Sequence, residues 1–247
     1  VCRYDQPNLL FINNGDGTFS DRTAEFGLDF SGYGTQAAFL DYDGDGDLDM
    51  YLLNSSTLQR VARAQSTSRT ARDAAAGDRL YRNDRGHFVD VSEKAGIYGG
   101  VEGFGLGIAV SDFNLDGCPD IYVANDFPEN DFLYLNNCDG TFTESVAGAM
   151  GHTSRFSMGV DAADVNNDGR PDLMVVDMLP QREEILKTTA NAESYELYDQ
   201  KMKAGYHSQY ARKMLRRYRI GRVARNEQGA LLQKEDQAKH ILGEDLA

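Results

Sequence analysis

The stretch DYDGDGDLD places an aspartate at every second position from Asp41 to Asp49. Two further stretches, DFNLDGCPD at 112–120 and DVNNDGRPD at 164–172, share its pattern, D-x-[DN]-x-D-G-x-x-D. Carboxylates spaced this closely repel one another unless a positive charge sits among them. The hard cation that suits them is calcium, which takes six to eight oxygens at about 2.3–2.6 Å from flexible acidic loops. In a loop curling round such an ion, positions 1, 3 and 5 point inward, glycine at 6 allows the bend, position 7 offers its carbonyl and position 9 closes the site. The candidate ligands are Asp41, Asp43, Asp45, Asp47 and Asp49; Asp112, Asn114, Asp116, Cys118 and Asp120; and Asp164, Asn166, Asp168, Arg170 and Asp172. Asp47, Cys118 and Arg170 contribute their backbone carbonyls. About three calcium ions are expected.

An EF-hand shares positions 1 to 6 but needs a bidentate glutamate at position 12 and a helix on either side. Position 12 is Leu52, Val123 and Val175, so that reading fails three times. A phosphate loop fails as well, because clustered carboxylates repel phosphate. Simple Asp/Gly-rich hairpin turns would explain one copy, not three in equivalent places.

The elements that position these loops form a repeat. A second signature alternates with the first: LLFINNGDGTF (9–19), LYRNDRGHF (80–88) and LYLNNCDGTF (133–142), each an apolar run, then Asn, then Gly-x-Phe. Short apolar runs flank every acidic loop, as in GTQAAFLD before the first and DMYLLN after it. Runs bounded by Gly, Asn and Asp read as strands, and the Asn/Asp-Gly turns as hairpins. The unit is strand, acidic loop, strand, longer loop, strand, tight turn, strand: a β-propeller blade. The expected class is all-β, a partial β-propeller of four-stranded antiparallel blades with a C-terminal helical tail. Whole blades fall at about 34–92 and 104–145, with the last two strands of a blade at about 8–22 and the first two of another at 157–177.

The first and second loops are 71 residues apart, the second and third 52, the excess being NSSTLQRVARAQSTSRTARDAAAGD. This insert lies between second and third strands, as a surface loop or short helix. After Pro180 alternation stops and Glu, Lys, Leu and Ala abound, which reads as helix broken at Gly205. Its basic run, Arg212, Lys213, Arg216, Arg217 and Arg219, reads as a solvated helix face or one docked on the acidic body. The expected units are 1–180, propeller, and 181–247, a helical and basic segment.

Net charge is -14, and it divides at the same place, 12 Lys+Arg against 29 Asp+Glu before Pro180 and 13 against 10 after it. An acidic body argues against a nucleic-acid partner and for bound cations. No apolar run approaches the length of a membrane span. The start at Val1 reads as a processed or excerpted chain. Cys2, Cys118 and Cys138 form no CxxC pair, so zinc has no support, and the four scattered histidines read as surface or structural residues. Cys118 and Cys138 lie in loops that emerge on one face of one blade and are expected to pair, the alternative being two buried thiols.

GDRLYRND (77–84), GFGLGIAVSDFNLDGCPDIYVANDFPENDFLYLNNCDGTFTE (103–144) and GYHSQYARKML (205–215) carry a resemblance to FG-GAP/VCBS-repeat proteins. They look closer still to the group related to cartilage acidic protein with the ASPIC/UnbV module, and more distantly resemble integrin alpha-subunit propellers. The resemblance covers roughly residues 8–215. It implies a secreted, periplasmic or cell-surface calcium-binding propeller used in adhesion or recognition of an extracellular protein or glycan, with no catalytic residues. Such relatives continue past the GY..QY segment into further repeats, and a full ring has about four to eight blades. Three blades' worth of strands therefore reads as a fragment, a truncated homologue or half of an assembly, with self-association through open edges. The competing functions are a propeller-based hydrolase or lyase and a purely structural scaffold. The expected ligand surface is the face opposite the acidic loops, with Phe30, Tyr33, Tyr98, Phe104 and Phe127, although each of these aromatics taken singly reads first as blade-to-blade packing.

Overall fold

The structure, a computed structural model, describes residues 1–63, 69, 71–127, 129–177, 195–210, 216–219, 224–225 and 231–232. The chain opens with strands β1 (Tyr4–Pro7), β2 (Phe11–Asn13) and β3 (Phe19–Asp21) and one helical turn, α1 (Thr23–Phe26). The first whole blade is β4 (Ser31–Leu40), β5 (Asp49–Asn54), β6 (Arg79–Asn83) and β7 (Phe88–Asp90), with α2 (Leu58–Arg63) between β5 and β6. The second is β8 (Gly105–Ser111), β9 (Asp120–Asn125), β10 (Phe132–Asn136) and β11 (Phe142–Glu144). There follow α3 (Val146–Ala149), β12 (Thr153–Ser154), β13 (Ser157–Ala163), β14 (Asp172–Asp177), α4 (Tyr195–Lys203), β15 (Gln209–Tyr210) and β16 (Arg216–Arg219), then β17 (Ala224–Arg225) paired with β18 (Leu231–Leu232).

Both whole blades are antiparallel meanders in sequence order, and the fold is the expected mostly-β partial propeller. The second strands carry the core. Every residue of β5 and β9 is buried, because each lies mid-sheet and is covered on both faces, β9 by the first blade and the β13–β14 sheet, β5 by the second blade and by Leu28 with the residues around it. Alternation then sends Ile121 and Val123 into the cluster between the two blades, with Tyr51, Leu53 and Tyr134, and sends Tyr122 and Ala124 to the other side, with Leu173 and Val175. First strands stand side by side: Thr35 Oγ1 donates to Gly105 O at 2.9 Å, and Gln36 Oε1 accepts from Ile108 N at 3.2 Å. A Cβ added at Gly105 would lie 2.2 Å from Leu53 Cδ1, so this close approach of blades requires glycine.

Two features depart from the expected pattern. β1 adds a fifth strand beside β4, pairing Tyr4 with Tyr33. Its four residues are all exposed and carry no apolar alternation that would mark a strand. The tail is helical over Tyr195–Lys203 and ends where expected: Gly205 adopts φ +86°, Gly205 N donates to Met202 O and Tyr206 N to Lys201 O, the bonding of a glycine-closed helix end. Beyond it the chain is extended, with β15 parallel to β12 and β16 antiparallel to β14. Arg216, Arg217 and Arg219 are therefore in a strand and not on a helix face, because the open side of β14 offers unpaired backbone groups; Arg212 and Lys213 lie outside the described residues.

β16 occupies the seat of a third strand in register, Tyr218 opposite Leu173 as Tyr81 is opposite Met50 and Tyr134 opposite Ile121. The hairpin β2–β3 has the register of a third and fourth strand: Phe11 pairs with Asp21 and Asn13 with Phe19, as Tyr134 pairs with Glu144 and Asn136 with Phe142. No described helix is long and apolar enough to cross a membrane.

Candidate metal centres

The acidic loops join first to second strands, β4 to β5, β8 to β9 and β13 to β14, so the repeat delivers all three to one end of the blades. Their backbones follow one path. Positions 4 and 6 have positive φ in each: Gly44 and Gly46, Leu115 and Gly117, Asn167 and Gly169. The N–H of position 6 donates to the carboxylate of position 1 in each, Gly46 to Asp41 at 3.1 Å, Gly117 to Asp112 at 2.8 Å and Gly169 to Asp164 at 2.8 Å. Position 7 N–H donates to position 5 in the same way: Asp47 to Asp45, Cys118 to Asp116 and Arg170 to Asp168.

Position 9 ties each loop to its second strand. Asp49, Asp120 and Asp172 accept from the N–H of position 2, Tyr42, Phe113 and Val165, at 3.0, 2.8 and 3.3 Å. In the whole blades the other oxygen reaches the tight turn, Asp49 accepting from Asn83 N and Asp120 from Asn136 N, both at 2.8 Å. Burial pushes the Asp49 carboxyl up to about 6 and that of Asp120 up to about 7, against the pull of these N–H donors. Asp43 is raised too, by burial and then by Asp45. A cation would relieve that strain on the charged form.

Ligand oxygens converge unevenly. In the first loop Asp41, Asp43 and Asp49 bring carboxylate oxygens within 4.8 Å of one another, while Asp45 and Asp47 lie outside that group. Among the described residues no three carboxylates of the second or third loop meet so closely. Asn114 and Asn166 replace the position-3 carboxylate there, each donating its amide N–H to the position-5 aspartate, Asp116 or Asp168. Cys118 and Cys138 form a disulfide, so no thiolate is on offer and the second loop presents oxygen donors only, the set a hard cation requires. A cleft of about 280 Å³ opens beside the first loop, lined by Asp43, Asp45, Arg82, Lys94 and the Cys138–Gly140 turn.

The opposite end is braced by residues that local patterns did not single out. Asp78 accepts from Tyr51 Oη at 2.9 Å and Asn54 N at 2.8 Å. Asp131 accepts from Tyr122 Oη at 2.7 Å and Asn125 N at 2.8 Å, and from Ser157 Oγ of the next sheet at 2.9 Å. Alignment of the motif Asp-x-Leu-Tyr, at 78–81 and 131–134, is the signal that would have found them.

The aromatic residues expected on this face pack mainly on neighbours. Phe104 is buried, and Phe127 stands edge-on between it and Phe156; Tyr33 lies against Tyr4 and under Arg60, and Phe30 under Arg79. Tyr98 packs edge-on against Phe132 and Tyr134. Phe127 is the exposed member of the set, because its backbone turns at φ +59° out of the β9 strand line.

Residues 1–52 and 112–175 match the FG-GAP-like repeat, and these stretches contain all three acidic loops. No curated protein matches the chain. The chain carries FG-GAP-like repeats on a propeller-like set of sheets.

Proposed function

We propose that the chain is a calcium-dependent, non-catalytic recognition module that works outside the cytoplasm, with the cation held by the three acidic loops. One observation carries this reading: three loops of one pattern share one backbone path, and the first draws Asp41, Asp43 and Asp49 together. The donors are oxygens throughout, which favours a hard divalent cation over zinc. The Cys118–Cys138 disulfide supports an oxidising compartment. The likeness to the ASPIC/UnbV group supports an adhesive or recognition role with a protein or glycan partner.

Cation held between position 1 and position 9 would fasten the start of each acidic loop to the second strand, and through Asn83 and Asn136 to the tight turn. The metal's work is then to stiffen one end of the blades. Calorimetric titration of calcium into the chelator-treated chain, with melting curves in calcium and in chelator, tests this. About three sites and a higher melting temperature in calcium are expected, and coincident curves with no binding heat would falsify the reading.

A further inference from the structure

On the end opposite the acidic loops, the guanidinium of Arg69 lies in a cage built by three distant parts of the chain. Its carbon is 5.5 Å from the ring centre of Tyr98, which precedes the second blade, 5.5 Å from that of Phe132 in β10 and 5.0 Å from that of Tyr206 behind α4. Arg69 Nε donates to Glu129 at 2.8 Å and Nη1 to Gly205 O at 3.0 Å. Glu129 is 1% exposed, a carboxylate withdrawn from water that needs a cation. Three π faces and one buried carboxylate are the chemistry that selects a planar guanidinium over a compact ammonium.

Each wall has supports besides Arg69. Tyr98 is held by its N–H donating to Tyr134 Oη at 3.1 Å, and Phe132 by the β9–β10 ladder. Tyr206 donates to Glu102, and its neighbour His207 is fixed by Asn130, whose Oδ1 accepts from His207 N at 2.7 Å and whose Nδ2 donates to His207 O at 2.9 Å. Glu129 O accepts from Gln209 Nε2 at 2.7 Å. Arg69 itself belongs to no blade strand. It comes from the insert between β5 and β6, which the second blade replaces with the short connection from β9 to β10.

We infer that the cage is a guanidinium-recognition site, that Arg69 is its tethered occupant, and that the ligand chemistry it fits is an arginine side chain of a partner protein. A preformed receptor filled by a side chain of its own chain has its apparent affinity for the free ligand reduced by the fraction of time that side chain is out of the cage. Removing Arg69 therefore opens a site that the unaltered chain keeps shut.

The probe is N-acetyl-arginine amide, titrated by calorimetry and amide NMR into the whole chain and into Arg69→Ala, with N-acetyl-lysine amide as control. Binding to Arg69→Ala at least about tenfold tighter than to the unaltered chain is expected, with the lysine amide far weaker and with loss of binding when Glu129→Gln is added. Equal binding to both chains would overturn the tethered occupant; a folded Arg69→Ala that ignores the probe, or takes arginine and lysine alike, would overturn the site. If Arg69→Ala does not fold alone, recovery of native NMR dispersion on adding the arginine amide supports the site, and failure to recover overturns it. Chelator should leave these results unchanged.

Discussion

Tyr122 Oη donates to Asp131 at 2.7 Å, and this bond, with Ser157 of the next sheet on the same carboxylate oxygen, joins two sheets through one buried acid. Tyr51 and Asp78 repeat it in the first blade at 2.9 Å.

Burial holds both acids up to about 7 from an ordinary 3.8. A carboxyl raised in the folded state favours folding fully below its unfolded value, and that contribution is lost as pH rises through the folded one. In chelator the chain should thus lose stability between about pH 4 and about pH 7, by on the order of 4 kcal/mol per group. Asp131→Asn keeps the shape and removes the titration. Its melting temperature should gain on that of the unaltered chain as pH rises from about 5 to about 8, and parallel curves would remove the assignment.

Asp116→Ala deletes the position-5 carboxylate of the second loop while leaving the Asp120 bonds to Phe113 and Asn136 in place. Calcium stoichiometry should fall by one site with the fold retained. At a free concentration about a hundredfold over Kd, each site contributes about 2.7 kcal/mol, so chelator and calcium melts should lie closer together in the variant by that amount.

Reducing the Cys118–Cys138 bond frees a 20-residue span. The double substitution of both cysteines by serine should cost about 3 kcal/mol, read by denaturant titration. Because Cys118 is position 7 of the second loop, only one calcium affinity should weaken. Thiol counting on the unreduced chain should find Cys2 as the single free thiol.

Leu115 sits at φ +60°, where the first loop has Gly44 and the third Asn167. Leu115→Asn should stabilise by up to about 1 kcal/mol, since Asn tolerates the left-handed region. Gly117→Ala should destabilise by about 1–2 kcal/mol through conformation alone, because a Cβ there meets nothing within 4 Å. Opposite signs at two neighbouring exposed positions are the signature to look for in thermal melts.

Legibility followed the range of the interactions. The loops and turns could be read because Gly117, or Asn136 before its turn, expresses a local backbone need. β1 could not, since Tyr4–Pro7 becomes a strand only through the free side of β4. Asp78 and Asp131 carry no local mark of burial; their need arises from Tyr51 and Tyr122 in another strand. Arg69 was hidden among similar Ser, Ala and Arg residues, and its cage exists only after Tyr98, Phe132 and Tyr206 are brought together. The tail misled because β16 owes its conformation to an open neighbour and not to its composition.

The hairpin β2–β3 exposes Phe11 by 44% and Phe19 by 62%, whereas their counterparts Tyr134 and Phe142 are 0% and 6% exposed. It has the form of a plug. Its natural socket, the side of β14, is already filled by β16. A hairpin of this form brought up by a second copy finds that seat taken, so joining through the side of β14 is blocked. Withdrawal of β16 would turn the same molecule into a link, and strings of blades would lengthen with concentration.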